Sequence, residues 1–325
     1  MARLSLTKML GTAAAVGAAV AGTSASSALA EEHEPEAIFF ADYENGAIDS
    51  GYSGIVHNDC CAYSVQTTDF GRDSDTAVKH ELRYGDPWDS SLGPRAESHA
   101  FDMAEARFGA GDTYYYAFSI YLPSTWEYDS ELEDILFQWH TTPVGEACEP
   151  SKSPAAFLAV HPAGGGEWRL RVNSDEGECT TADTIDKTHL GLGETRLGQW
   201  TDFVFEFDWA YDDTGRIEAW TRTSGNVGWQ HFEHNGPNTF NDPPDVGYLK
   251  WGIYKPGWQD SGSDVDKRAV IHDNISMGSS CQSVMPAGWP APCGASTGGA
   301  SDLGPSGERA LPARTRHRVR AGSCR

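Results

Sequence analysis

Beyond its first thirty residues the chain has no long leucine- or alanine-rich run and no internal repeat, which excludes helical bundles and helical solenoids. No later apolar segment is long enough to cross a bilayer as a helix. Cys-x-x-Cys pairs and mixed Cys/His clusters are missing, so a zinc–thiolate centre is not expected. Positive charge is scarce: 24 Lys and Arg stand against 47 Asp and Glu, a net charge of -23. A surface of that sign repels nucleic acid and anionic membranes, and neither is expected as a partner.

Arg3 and Lys8 precede an alanine-rich stretch ending in "SSALA", the pattern of a secretory signal over residues 1–30 with cleavage after Ala30. The expected product is secreted, extracellular and monomeric. Residues 295–325 are rich in Gly, Ser, Ala and Pro, then basic, and read as a disordered tail. Between them, residues 31–294 form one large domain. Glycine (35), tryptophan (11), tyrosine (12) and phenylalanine (13) are plentiful in the chain, a composition suited to strands and tight turns. Seven cysteines in an exported chain point to disulfides. Proximity favours Cys148 with Cys179 and Cys281 with Cys293. Cys60 and Cys61 are adjacent and rarely pair with each other; Cys324 lies in the tail as the odd one.

Alternating stretches such as "TYYYAFSIYLP", "LEDILFQWH", "EWRLRVNS", "WTDFVFEFDWA", "YLKWGIY" and "AVIHDNISMG" succeed one another with turn residues between them. The expected fold is an all-β jelly roll, two antiparallel sheets with a concave cleft. In a strand, residues two apart share a face. Gln138 and His140 therefore lie opposite Phe137 and Trp139, and Tyr248, Lys250, Gly252 and Tyr254 lie opposite Leu249, Trp251 and Ile253. Gly252 leaves a gap where a ligand can approach. Upstream, "GPRAESH" sets Arg95 and Glu97 on one face.

An arginine, a Gln-x-His and a Lys-x-Gly-x-Tyr suit removal of the C5 proton of a uronate. Cationic and amide groups offset the charge that builds on the carboxylate. A tyrosine, ordinarily with a pKa of about 10, takes the proton once a neighbouring cation lowers that value. The same group protonates the leaving C4 oxygen. The result is β-elimination.

"QWH" and "YLKWGIY" resemble the Gln-x-His and Tyr-x-Lys-x-Gly-x-Tyr signatures of jelly-roll polysaccharide lyases: the alginate lyases of family 7, the glucuronan lyases of family 20 and the heparin lyases of family 13. Two stretches compete for the arginine strand, "PRAESH" with Arg95 and "KHELRY" with Arg83. Arg95 is preferred because it directly precedes "TYYYAFSIYLP". The resemblance implies Tyr254 as base and acid, and His140 as carboxylate neutraliser or base. It implies Gln138 and Arg95 as carboxylate ligands, with Lys250, Tyr248 and Arg83 toward the substrate. Trp258 is a candidate sugar-stacking residue. No cofactor is expected for catalysis. "ENG" with Glu44, and Asp273 in "HDNIS", resemble a structural calcium site.

The expected partner is an acidic polysaccharide, glucuronan first and alginate (polymannuronate) second. A heparin-type substrate would want a broader basic groove. Arg95, Lys250 and Lys255 are the expected local positive charge. The rivals are a glycoside hydrolase, using pairs such as Glu131 and Glu133 or Glu206 and Asp208, and a non-catalytic lectin-like module.

Overall fold

The structure, a computed structural model, describes residues 36–143, 153–162, 165–226, 228–242, 245–260 and 262–293. The expected signal, the tail, Cys148, Cys324 and most of the 141–154 loop lie outside these residues.

Two antiparallel sheets carry the chain, as a jelly-roll sandwich requires. One has seven strands in the order β10 (Asp186–Glu194), β9 (Glu167–Ser174), β8 (Ala156–His161), β7 (Asp134–Pro143), β14 (Asp245–Tyr254), β5 (Arg95–His99) and β2 (Val56–Asn58). The other has eight. Its path runs β13 (Gln230–Asn235), β12 (Arg216–Thr223), β11 (Gln199–Asp208), β6 (Thr113–Leu122), β15 (Lys267–Gly278), β4 (Ala77–Arg83) and β3 (Val65–Thr68), with β1 (Phe39–Ala41) also on β15. No described helix is long and apolar enough to cross a membrane.

Period-two patterning fixes which faces meet. Phe118 and Ile120 of β6, Phe203, Phe205 and Phe207 of β11, Phe137 and Trp139 of β7, and Leu249, Trp251 and Ile253 of β14 are all buried. Phe118 stacks on Phe137 across the sandwich at 3.9 Å between centroids, and Trp139 meets Phe205 at 5.0 Å edge-on. Each buried aromatic contributes on the order of 2–3 kcal/mol by area, and aromatic pairing adds about 1 kcal/mol. With its inner face committed to this core, the seven-stranded sheet turns the alternate residues of β7 and β14 outward.

Two irregularities shape that outer face. Register slips between Ile135 and Phe137 against β8, so Leu136 and Phe137 both point inward while Ile135 points outward. On β14 it slips between Trp251 and Tyr254 against β7. Gly252 sits there at φ +135°, and a Cβ on it would overlap Ala96 O and lie 2.7 Å from Glu97 Cα. The expected gap for a ligand is therefore taken by the backbone of β5. Glycine is needed so that β14 and β5 can close on each other.

The cysteines depart from expectation at one point. Cys281 and Cys293 are joined as anticipated. Cys60 and Cys61 form a disulfide with each other, so neither is free for another pairing. Cys179 is also disulfide-bonded, to a partner outside the described residues.

Candidate active site

Strand pairing brings Arg95, Gln138, His140, Tyr248, Lys250 and Tyr254 onto one face of three adjacent strands. Tyr254 lies opposite Arg95 on one side and Ile135 on the other; Lys250 lies opposite His99 and Gln138; Tyr248 lies opposite His140. Along the strands the order is Tyr254 with Arg95, then Lys250 with Gln138, then Tyr248 with His140.

The centre of the group is Glu97, whose side chain is 2% exposed. Its carboxylate accepts from Arg95 Nη1 at 3.0 Å, Lys250 Nζ at 3.1 Å and the Gln138 amide. Burial pushes this carboxyl up, but Lys250, Arg95 and the Gln138 hydrogen bond outweigh it and hold Glu97 below its ordinary value. Lys250 is lowered by burial, with Glu97 opposing the shift and Arg95 adding to it. Sequence reasoning saw Glu97 only as a partner for Arg95. The Arg-x-Glu spacing was the available signal, but the two further contacts depend on strand neighbours far away in sequence.

Gln138 (1% exposed) and Lys250 (3% exposed) are thus buried and turned to Glu97. They fix the position of the face from below. Arg95 links this layer to Tyr254: its guanidinium carbon sits 4.0 Å from the phenol ring centroid while Nη1 holds Glu97. Gly93, at φ +77°, lets the preceding loop reach Tyr254, since a Cβ there would come to 3.1 Å of Tyr254 Cε2.

The expected lowering of the Tyr254 pKa is not what the folded chain produces. Burial raises it above its ordinary value, Arg95 opposes this, and Glu97 reinforces it. The Arg95 charge is already shared with Glu97, so its pull on the phenol is incomplete. Tyr248 is pushed up to about 12 by burial and by Glu97. The ring of Tyr248 lies 5.3 Å from that of His140 and 5.0 Å from that of Phe101. His99, unread in the sequence, shares this face; burial and Lys250 hold it down at about 4, so it is neutral at physiological pH.

Three expected participants lie elsewhere. Arg83 ends β4 in the eight-stranded sheet, paired with Glu81 and stacked over Tyr63, and does not join the group. Trp258 is 6% exposed within the core, edge-on to Tyr84, and offers no face to a sugar. Lys255 is fully buried between Asp129 and Asp134 and adds no charge to the surface. The hydrolase pair Glu206 and Asp208 sits on β11 of the other sheet, against Arg216.

Glu44 and Asp273 lie together away from this face. Ser74 and the Arg72 N–H donate to Asp273, while Thr76 and the Asp75 N–H donate to Glu44. Burial raises Asp273 to about 7, with Glu44 adding to the shift. Two hard carboxylates without a counter-charge suit a calcium ion in kind. Among the described residues no third acidic, histidine or cysteine ligand joins them, and the one such triplet is the Cys60–Cys61 disulfide beside Asp86.

The fold is a jelly-roll sandwich with a polar outer face on its seven-stranded sheet. A family model described as polysaccharide lyase matches residues 43–276, and the chain belongs to that family. It is a lyase acting on polysaccharides. Among solved structures it is similar to the endo-β-1,4-glucuronan lyase of the fungus Trichoderma reesei, at 18% identity over 75% of this chain and 96% of that one, with a TM-score of 0.57. It is also similar to the marine PL-14 alginate lyase from Aplysia kurodai, at 12% identity over 74% and 98% respectively, with a TM-score of 0.53. At such identities these likenesses establish the fold. No curated protein matches the chain.

Proposed function

We propose that the protein is an exported lyase that cleaves a β-1,4-linked polyuronate by elimination, with glucuronan as its first substrate and polymannuronate its second. The observation that carries this reading is the buried Glu97 carboxylate, which holds Arg95 against the Tyr254 ring. A uronate entering over Tyr254 brings its carboxylate to Arg95. Offsetting that charge acidifies the C5 proton. Tyr254, as phenolate, takes the proton; the electron pair forms C4=C5; the C4–O bond breaks; and the phenol returns its proton to the leaving oxygen. In β-linked glucuronate and mannuronate, H5 and O4 lie on the same side, so one residue serves both transfers. His140 steadies the carboxylate or a neighbouring ring. Gln138 and Lys250 act through Glu97. Glu44 and Asp273 would hold a structural calcium remote from these steps.

The test is an ultraviolet time course of the mature protein against glucuronan, polymannuronate, polyguluronate, heparin, hyaluronan and a neutral glucan. Absorbance from a new C4=C5 bond on glucuronan or polymannuronate supports the reading. New reducing ends without absorbance, or response to heparin alone, would overturn it.

A further inference from the structure

The outer face continues past the candidate active site as unbroken cross-strand rows. One row pairs His189, Arg171, Phe157, Gln138, Lys250 and His99. The row beside it runs from Arg169 through Ala159 and Ile135 to Tyr254 and Arg95. Ile135, Phe157 and Ala159 form a small apolar cluster against which Tyr254 packs. Two arginines therefore sit on the far side of that cluster from the phenol, on the same face.

Their state differs from that of Arg95. Arg171 lies over the Phe157 ring at 5.2 Å and donates from Nε to Asn173 Oδ1 at 3.0 Å, which aims the guanidinium. Among the described residues it makes no ion pair. Glu133 acts on it only at a distance, and burial holds it below its ordinary value. Arg169 is paired with Glu167 at 2.7 Å. His189 opposite feels both arginines and Lys187 as positive neighbours. In a chain of net charge -23, Arg171 is thus a half-buried cation with no ion pair among the described residues, while Arg169 is taken by Glu167 and Glu133 feels both arginines.

We propose that Arg171, supported by Arg169, binds the carboxylate of a second uronate, four residues along the polymer from the one that reacts. The inference rests on the lyase reading above and narrows it to substrates with consecutive uronates. Four strand spacings, about 19 Å, separate the Arg95 position on β5 from that of Arg171 on β9. A β-1,4 chain whose successive rings are turned over presents every second carboxylate to the same side, and two such two-ring repeats are of comparable length. The apolar cluster between the arginine and the phenol carries no charge to oppose the intervening rings.

The experiment uses calorimetric titration in the Tyr254→Phe background, where turnover is blocked. The probes are a β-1,4-linked glucuronate hexamer, its dimer, and cellohexaose as the neutral counterpart. Adding Arg171→Ala is expected to weaken hexamer binding about tenfold, and Arg171→Lys by less. Dimer and cellohexaose binding stay as in the parent. Unchanged hexamer affinity in Arg171→Ala overturns the proposal. So does an equal loss on cellohexaose, or a parent that does not bind the hexamer. Failure of the lyase reading shows separately, as wild-type protein that binds the hexamer and releases no unsaturated product.

Discussion

The outer face of the seven-stranded sheet holds cations at both ends and uses them differently. At the β14–β5 end, Arg95 and Lys250 are turned onto the buried Glu97. At the β9–β10 end, Arg171 rests on an aromatic ring and makes no ion pair among the described residues. The first arrangement sets positions, with two cations sharing one buried carboxylate. The second leaves charge for an incoming anion. On the proposed reading, a strongly acidic protein can thus act on an acidic polymer through an attraction that is local and separate from the reacting group.

The comparison can be broken most severely at its catalytic end. Tyr254→Phe removes the proton carrier without disturbing the ring over Arg95, and kcat is expected to fall by about 10³-fold with an unchanged Tm. Retained turnover would remove Tyr254 from the chemistry. Glu97→Ala leaves two buried cations and an amide without their shared acceptor. A loss of about 3–5 kcal/mol in urea unfolding is expected, together with loss of activity. If stability hardly moves, Glu97 is not the organising group.

The pH profile sharpens the same contrast. Burial holds the Tyr254 phenol above its ordinary value. Its phenolate fraction therefore rises throughout the neutral range, and kcat/KM should climb about tenfold per pH unit with no plateau below roughly pH 9. A plateau near neutrality would pass the role of base to His140. At the other end, Arg171→Ala should cost about tenfold in affinity for long uronate chains. The smallest effect concerns neither end: calcium should raise the Tm by about 2–4 °C, and Asp273→Asn should abolish that shift.

Much of this face is legible in the sequence because strand periodicity is local. Phe137 and Trp139 against Gln138 and His140, or Leu249 and Trp251 against Lys250, follow from alternation alone. What alternation does not carry is which strands become neighbours. Arg83 and Arg95 both end or begin alternating stretches, and only the pairing of β5 with β14 separates them. "EWRLRVNS" reads as a strand, yet Arg169 and Arg171 gain meaning only when β9 and β8 connect them to Gln138 and Tyr254. Lys255 and Trp258 follow directly after β14, where the chain turns into a short 3-10 helix, Pro256–Gln259, and both are buried. The Cys60–Cys61 bond is likewise a product of local backbone geometry that residue spacing argued against.

The central claim is cleavage without water as a reactant, and the most direct test is digestion of glucuronan in heavy-oxygen water followed by mass spectrometry of the oligosaccharides. Elimination predicts products one water lighter than hydrolytic fragments, with a C4=C5 bond at the new non-reducing end and no heavy oxygen incorporated during bond cleavage. Saturated products carrying one heavy oxygen per cleavage, beyond the slow exchange measured in an enzyme-free control, would contradict the account.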